Sequence, residues 1–307
     1  MLRHFFEIIP FYFILIALKI LPFESRVYWG GQVCSLILPL VRNFYERVDK
    51  NLKLIYPTWS HQERKEFIKE NSKMIGKSFI ELMFNKEFQH RSHKIVYNKK
   101  ELMPLIAAKK INQPIIIISG HIGSWEAVRA VLKNYGLTSG ALYQRNRNIF
   151  YERLHLKAIK EGGEPIFEVG RSGTRKMIKL IKSGGVVALM IDQAVKGGEY
   201  LKFLGVPAKT STSIAEISMK YEVLLIPAYG IRRNNNVVVN YEDHSANSKD
   251  ANTLFTNMCG SAIVLCAAND QIEIYCTPYN GYHSGDSSAF TIGTGPRTNM
   301  SGFLLGF

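Results

Sequence analysis

The residues with the clearest chemical potential in this chain are His121 and Glu126, in the run Gly120-His121-Ile122-Gly123-Ser124-Trp125-Glu126. Imidazole can take and return a proton near neutral pH. A carboxylate bonded to one ring nitrogen fixes the tautomer and raises basicity, and the other nitrogen is left to take a proton from an alcohol. On a continuous helix a spacing of five separates two side chains by roughly 140°, at about 100° per residue. The pair therefore meets only if His121 lies in a turn and Glu126 in the first turn of a helix. Gly120 and Gly123 permit that bend. Backbone N–H groups at the helix start would then help to stabilise an oxyanion. The alternative is a histidine that packs or caps at a strand end, with Glu126 a favourable charge in the first helical turn.

The flanking sequence supplies elements to position such a pair. Pro114 to Ser119 is a β-branched run that reads as a buried strand ending at the histidine. Ser124 can cap a helix running to about Tyr135, with Gly136 at its stop. Upstream, Ser60-His61-Gln62-Glu63 has the form of a capping box and opens a long amphipathic helix through Phe67, Met74, Ile75, Phe79, Leu82 and Met83. Downstream, Gly140 to Tyr143 reads as a strand, Thr174 to Lys182 as a helix, and Val186 to Ile191 as a second buried strand ending in Asp192-Gln193. Ser211 to Tyr221 reads as a helix, and Val223 to Ala228 and Val237 to Tyr241 as strands. Alternating strands and helices predict an α/β sheet with helices packed on it, its chemistry at the carboxyl ends of the strands.

Several of these segments, in order, resemble the lipid A biosynthesis (lauroyl/myristoyl) acyltransferase family of bacteria. GHIGSWE is similar to its G-H-x-G-N-W-E signature, with Ser124 where Asn is common. Asn51-Leu52 with Tyr56-Pro57 resembles its N-L-x-x-x-[FY]-P segment, and Tyr143-Gln144-Arg145 its Y-R segment. Arg171 with Met177-Ile178-Lys179 and Gly184-Gly185, then Ile191-Asp192-Gln193, then Lys202 to Gly205 with Ala208-Lys209-Thr210, resemble further family stretches. The match runs from about residue 5 to about residue 245.

The resemblance implies a mixed central β-sheet flanked by helices, of glycerolipid acyltransferase-like type, with a membrane-associated helical segment in front. It implies transfer of an acyl chain from an acyl carrier protein thioester to a hydroxyl of a Kdo-bearing lipid A precursor. His121, oriented by Glu126, would be the base, without a cofactor, a metal or an acyl-enzyme. Arg145 and Arg171 would face phosphate or carboxylate on the acceptor, or the developing oxyanion, since a guanidinium fork bonds such groups bidentately. An ordinary surface ion pair is the alternative for each. Asp192 and Gln193 would position the motif, or Asp192 would serve as a buried structural acceptor. The expected location is the cytoplasmic face of the bacterial inner membrane. A relative acting on another glycolipid or aminolipid, or an inactive membrane-bound remnant, would carry the same segments.

The bulk properties agree. A net charge of +14 calls for an anionic partner: membrane surface, acidic carrier protein or phosphorylated lipid. Lys157 to Lys160, Lys176 to Lys182 and Arg232-Arg233 are candidate contacts, or solvated faces. Nucleic acid would also suit the charge, but no nucleic-acid motif is present and the apolar N-terminus would be left unexplained. Phe5 to Leu21 is crowded with aromatics, and its charge-free core, Ile8 to Leu18, is short for a span of about 20 residues. It suits a helix lying in the membrane interface, with a signal peptide or a buried helix as alternatives. Val33 to Val41 would pack beside it or touch lipid.

Three divisions follow: 1–45 as membrane-associated helices, 46–250 as catalytic domain, and 251–307 as a divergent or frame-shifted tail. The tail has one basic residue, Arg297, and lacks the family's Trp- and Arg-rich ending. It holds Cys259, Cys266 and Cys276 without paired metal-ligand spacing, while Cys34 reads as a buried thiol.

Overall fold

The computed structural model describes residues 2–193, 198–203, 206–233 and 236–241. The expected tail, with its three cysteines, lies outside the described residues, as do Leu204 and Gly205.

Five helices come first: α1 (Leu2–Leu18), α2 (Phe23–Ile37), α3 (Arg42–Ile55), α4 (His61–Met83) and α5 (Asn85–His90). The α4 start is the expected capping box. The Ser60 hydroxyl accepts the Glu63 N–H at 3.2 Å, and the Ser60 N–H donates to Glu63 Oε2 at 2.7 Å. Helices α2 and α4 touch through glycines. A Cβ added at Gly76 would lie 2.5 Å from the Gly30 carbonyl oxygen. Cys34 sits at this crossing, half-buried, and burial pushes its thiol pKa up.

The short strand β1 (Val96–Tyr97) and helix α6 (Met103–Lys110) lead into β2 (Ile115–Ser119). The chain then alternates through α7 (Ala127–Asn134), β3 (Ser139–Tyr143), α8 (Ile149–Gly162), β4 (Ile166–Glu168), α9 (Arg171–Lys182) and β5 (Val186–Met190). A hairpin, β6 (Glu199–Phe203) with β7 (Val206–Thr210), precedes α10 (Ser213–Tyr221), β8 (Leu224–Arg233) and β9 (Asn236–Tyr241).

Seven strands form one sheet in the order β1-β9-β8-β2-β5-β3-β4. From β8 to β4 neighbours are parallel, while β9 runs antiparallel to β8, so the sheet is mixed, as expected. Every residue of β2 is buried, which an unbroken apolar strand requires if both sheet faces are covered. Ile115 and Ile117 join a core with α2, α6 and α7, whereas Ile116 and Ile118 face α9 and α10.

Helix α1 docks on α4 and α8. Its Phe11 ring lies 5.7 Å from Phe79 and 5.8 Å from Tyr151, and the Asn148 side chain donates to the His4 carbonyl at 2.9 Å. No helix among the described residues is long and apolar enough to cross a membrane. The 17 residues of α1 would reach about 26 Å, less than the ~30 Å hydrocarbon core. The helix still exposes Phe6 (64%), Phe13 (68%) and Ile16 (58%), and Leu36 of α2 is 64% exposed.

Candidate active site

Parallel register builds the centre of the site. Ser119 of β2 pairs with Met190 of β5, and the Ile191 N–H donates to the Ser119 carbonyl at 3.1 Å. Two residues further along each strand stand His121 and Asp192. Asp192 Oδ2 accepts the His121 backbone N–H at 2.7 Å, and Oδ1 lies 2.9 Å from imidazole Nδ1. A Cβ added at Gly120 would come within 3.2 Å of the Asp192 carboxylate, so glycine keeps the approach clear. The carboxylate accepts a hydrogen bond from Nδ1–H, which leaves Nε2 as the nitrogen without a proton. The imidazole is 22% exposed and the Asp192 side chain 16% exposed, so the pair is sheltered while the ring is still reached from outside. Trp125 packs edge-on to the ring at 5.5 Å.

Glu126 has a different partner from the expected one. Its carboxylate takes Arg129 Nη1 at 3.1 and 3.2 Å and Asn85 Nδ2 at 3.1 Å. No hydrogen bond joins it to His121 among the described residues. Glu126 is itself the N-cap of α7, and its side chain turns inward beneath α8, where Gly162 leaves it room. Arg129 also donates to the carbonyls of Ile159 and Gly163, and Asn85 to that of Ala158. The local spacing allowed a histidine contact; a buried arginine one helical turn away supplied a stronger one.

Ser124 does not cap α7. It is 1% exposed, and its hydroxyl donates to Glu81 Oε2 of α4 at 2.7 Å. Glu81 in turn is gripped by Arg232 of β8, Nη1 to Oε1 at 2.7 Å and Nη2 to Oε2 at 2.6 Å. Arg232 is therefore not a surface cation meeting anionic partners; its side chain is 10% exposed. The Ser124 N–H donates to the Gly230 carbonyl at 2.6 Å and the Ala127 N–H to the Ser124 carbonyl at 3.3 Å, so these two amides are not free for an oxyanion. Sequence reading missed Glu81, Asn85 and Arg129 and gave Arg232 a surface role, because each meets the site through a packed neighbour rather than through a motif of its own.

Arg145 follows β3 and Arg171 opens α9 just after β4, so both lie at the sheet edge that carries His121 and Asp192. Both are exposed. With about 4.8 Å between strands, β3 stands roughly 10 Å and β4 roughly 14 Å from β2 along that edge. Gln193 follows Asp192, half-buried, and makes no hydrogen bond among the described residues.

The loop bearing Arg145 is tied down by Glu152. That carboxylate accepts the Tyr143 hydroxyl at 2.8 Å and the Asn146 N–H at 2.9 Å. Burial raises its pKa, but the bonds from Asn146 and Tyr143 outweigh burial and hold it below the usual carboxylate range. Burial and then Glu152 push the Tyr143 hydroxyl up to about 12. His155 stacks on Tyr151 and accepts from the Asn146 amide at 2.9 Å, and burial lowers its pKa. Among the described residues no cluster of His, Cys, Asp and Glu could hold a metal ion.

A histidine–carboxylate pair at the carboxyl edge of a mixed α/β sheet has the geometry for acid–base chemistry. A model of the bacterial lipid A biosynthesis acyltransferase family matches residues 3–259, and the chain belongs to that family. It is similar to the lipid A biosynthesis palmitoleoyltransferase of Escherichia coli (strain K12) and to a lipid A biosynthesis acyltransferase of Shigella flexneri. Each is 22% identical over 197 residues, 63% of this chain and 63% of the relative. The chain thus spans less than two thirds of the length of these curated relatives.

Proposed function

We propose that this protein transfers a fatty acyl chain from an acyl carrier protein thioester to a hydroxyl of a Kdo-bearing lipid A precursor, with His121 as general base. The observation that carries the reading is the imidazole fixed at Nδ1 by Asp192, with Nε2 free to work. Nε2 takes the acceptor's hydroxyl proton as its oxygen attacks the thioester carbonyl. The tetrahedral intermediate collapses, the C–S bond breaks, and the imidazolium returns the proton to the leaving thiolate. Arg145 and Arg171 are proposed to bind anionic groups of the acceptor along the same edge. Glu126 acts at a distance, anchoring the start of α7 through Arg129 and Asn85.

The exposed apolar residues of α1 and α2 support attachment to a membrane surface, with these helices lying in the interface; the cytoplasmic face of the inner membrane is the proposed location. An anionic bilayer and an acidic carrier protein both suit a chain of net charge +14.

The test is transfer of labelled acyl groups from carrier-protein thioesters of several chain lengths to a Kdo-lipid A precursor, using detergent-purified protein. Transfer by the wild type and its loss in His121→Ala supports the reading. No transfer to this acceptor, with transfer to another glycolipid or an aminolipid, would replace the acceptor and keep the chemistry. No transfer to any acceptor by folded protein would mark an inactive relative.

A further inference from the structure

We propose that Glu81, held by Arg232, is a positioning residue for the catalytic loop and acts through Ser124; this rests on the reading of His121 as general base. Residues 123 and 124 stand two and three places after His121, and each is held from two sides. The Ser124 hydroxyl donates to Glu81 at 2.7 Å, and its N–H to Gly230 of β8 at 2.6 Å. The Ser78 hydroxyl of α4 donates to the Gly123 carbonyl, and Arg232 Nη2 donates to Ser78 Oγ at 3.3 Å. Gly123 has φ +62°, and a Cβ there would fall 2.0 Å from the Gly230 carbonyl oxygen, so the loop lies flat on β8. Asp192 holds the other side from β5. The imidazole is thus suspended between two anchors.

The ion pair makes the Glu81 anchor stiff. Arg232 engages both carboxylate oxygens, so the Ser124 hydroxyl has one fixed direction in which to donate. Glu81 is 4% exposed, so water does not compete for that hydroxyl. The Asp49–Arg64 pair, also sheltered, shows the contrast: it joins α3 to α4 and bonds to none of the site residues named above.

The experiment compares Ser124→Ala and Glu81→Gln with Ser72→Ala, a buried serine of α4 whose hydroxyl, among the described residues, bonds only to Ile68 of its own helix, and with His121→Ala. Four quantities are read: kcat, acceptor KM, Tm, and the NMR titration of the His121 imidazole in histidine-labelled protein. Ser124→Ala is expected to lower kcat by roughly 10- to 100-fold, as a small misplacement of a catalytic group does. KM should stay within about twofold, since the loop orients the base rather than the substrate, and the imidazole titration should move. Ser72→Ala should leave kcat and titration at wild-type values. If Glu81→Gln does not fold, Ser124→Ala, which keeps the ion pair, carries the test. Wild-type kcat and titration in Ser124→Ala would overturn the proposal. Activity that survives His121→Ala would instead sink the base reading, and the titration would still decide the anchor.

Discussion

His121 and Asp192 each stand two residues beyond a paired residue of neighbouring parallel strands, Ser119 of β2 and Met190 of β5, and their side chains meet at 2.9 Å. In-register parallel strands deliver equal offsets side by side, so the pair follows from the register. Asp192→Asn keeps the shape and a hydrogen-bonding group but no longer selects the Nδ1–H tautomer. We expect a loss in kcat on the order of 10²–10⁴ with Tm close to wild type, read by steady-state assay beside thermal melting.

Glu126 answers to a different measurement. It and Arg129 are both nearly buried, at 7% and 6% side-chain exposure. Removing one member of such a pair strands the other, at about 3–5 kcal/mol. Glu126→Ala should therefore melt well below wild type. A Glu126→Leu/Arg129→Met double variant should recover part of that loss. Equal melting of Glu126→Ala and wild type would show that the pair does not anchor α7.

Acid should loosen the Arg145 loop in two stages. His155 and Glu152 both have folded-state values below their ordinary 6.5 and 4.5. A depressed value contributes stability above the ordinary pKa and loses it as pH falls through the folded one. Melting temperature should thus begin to fall below about pH 6.5, through His155, and fall further in the carboxylate range, through Glu152. His155→Gln should flatten the first stage and leave the second, in melts taken across that range.

The apolar face of α1 gives a membrane prediction. Phe6, Phe13 and Ile16 are more than half exposed, and each stands to bury about 1.5–3 kcal/mol of side chain in lipid. Phe13→Ser/Ile16→Ser should cut sedimentation with anionic vesicles by at least about tenfold, since 1.4 kcal/mol is a factor of ten. Unchanged sedimentation would assign attachment to another surface.

For the arginines the expected signature is in KM. Arg145→Ala and Arg171→Ala should each raise the KM of a phosphorylated acceptor, by roughly 10- to 150-fold for a lost charge-assisted bond of about 1.5–3 kcal/mol. Their effect on an acceptor without phosphate should be smaller. Equal effects on both acceptors would remove the phosphate assignment.

The sequence by itself determined what depends on near neighbours. The short β-branched isoleucine run of β2 read as a buried strand, and it is one covered on both faces. Ser60 and Glu63 closed the capping box they spelled out, and the glycine-flanked His121 fell at a strand end. The glycine-rich motif and the Asp192 segment were each legible because a family pattern runs through consecutive residues. Tertiary structure decided which carboxylate faces which cation. Asp192 lies 71 residues from His121, and Arg232 lies 151 from Glu81. Such pairs depend on strand register and on which helix face meets the sheet, and no spacing along the chain encodes either. Local geometry left Glu126 free to approach His121 or to turn inward. The buried Arg129 and Asn85, present only once α5, α7 and α8 had packed, settled it, because a buried carboxylate goes where its charge and its lone pairs are both satisfied.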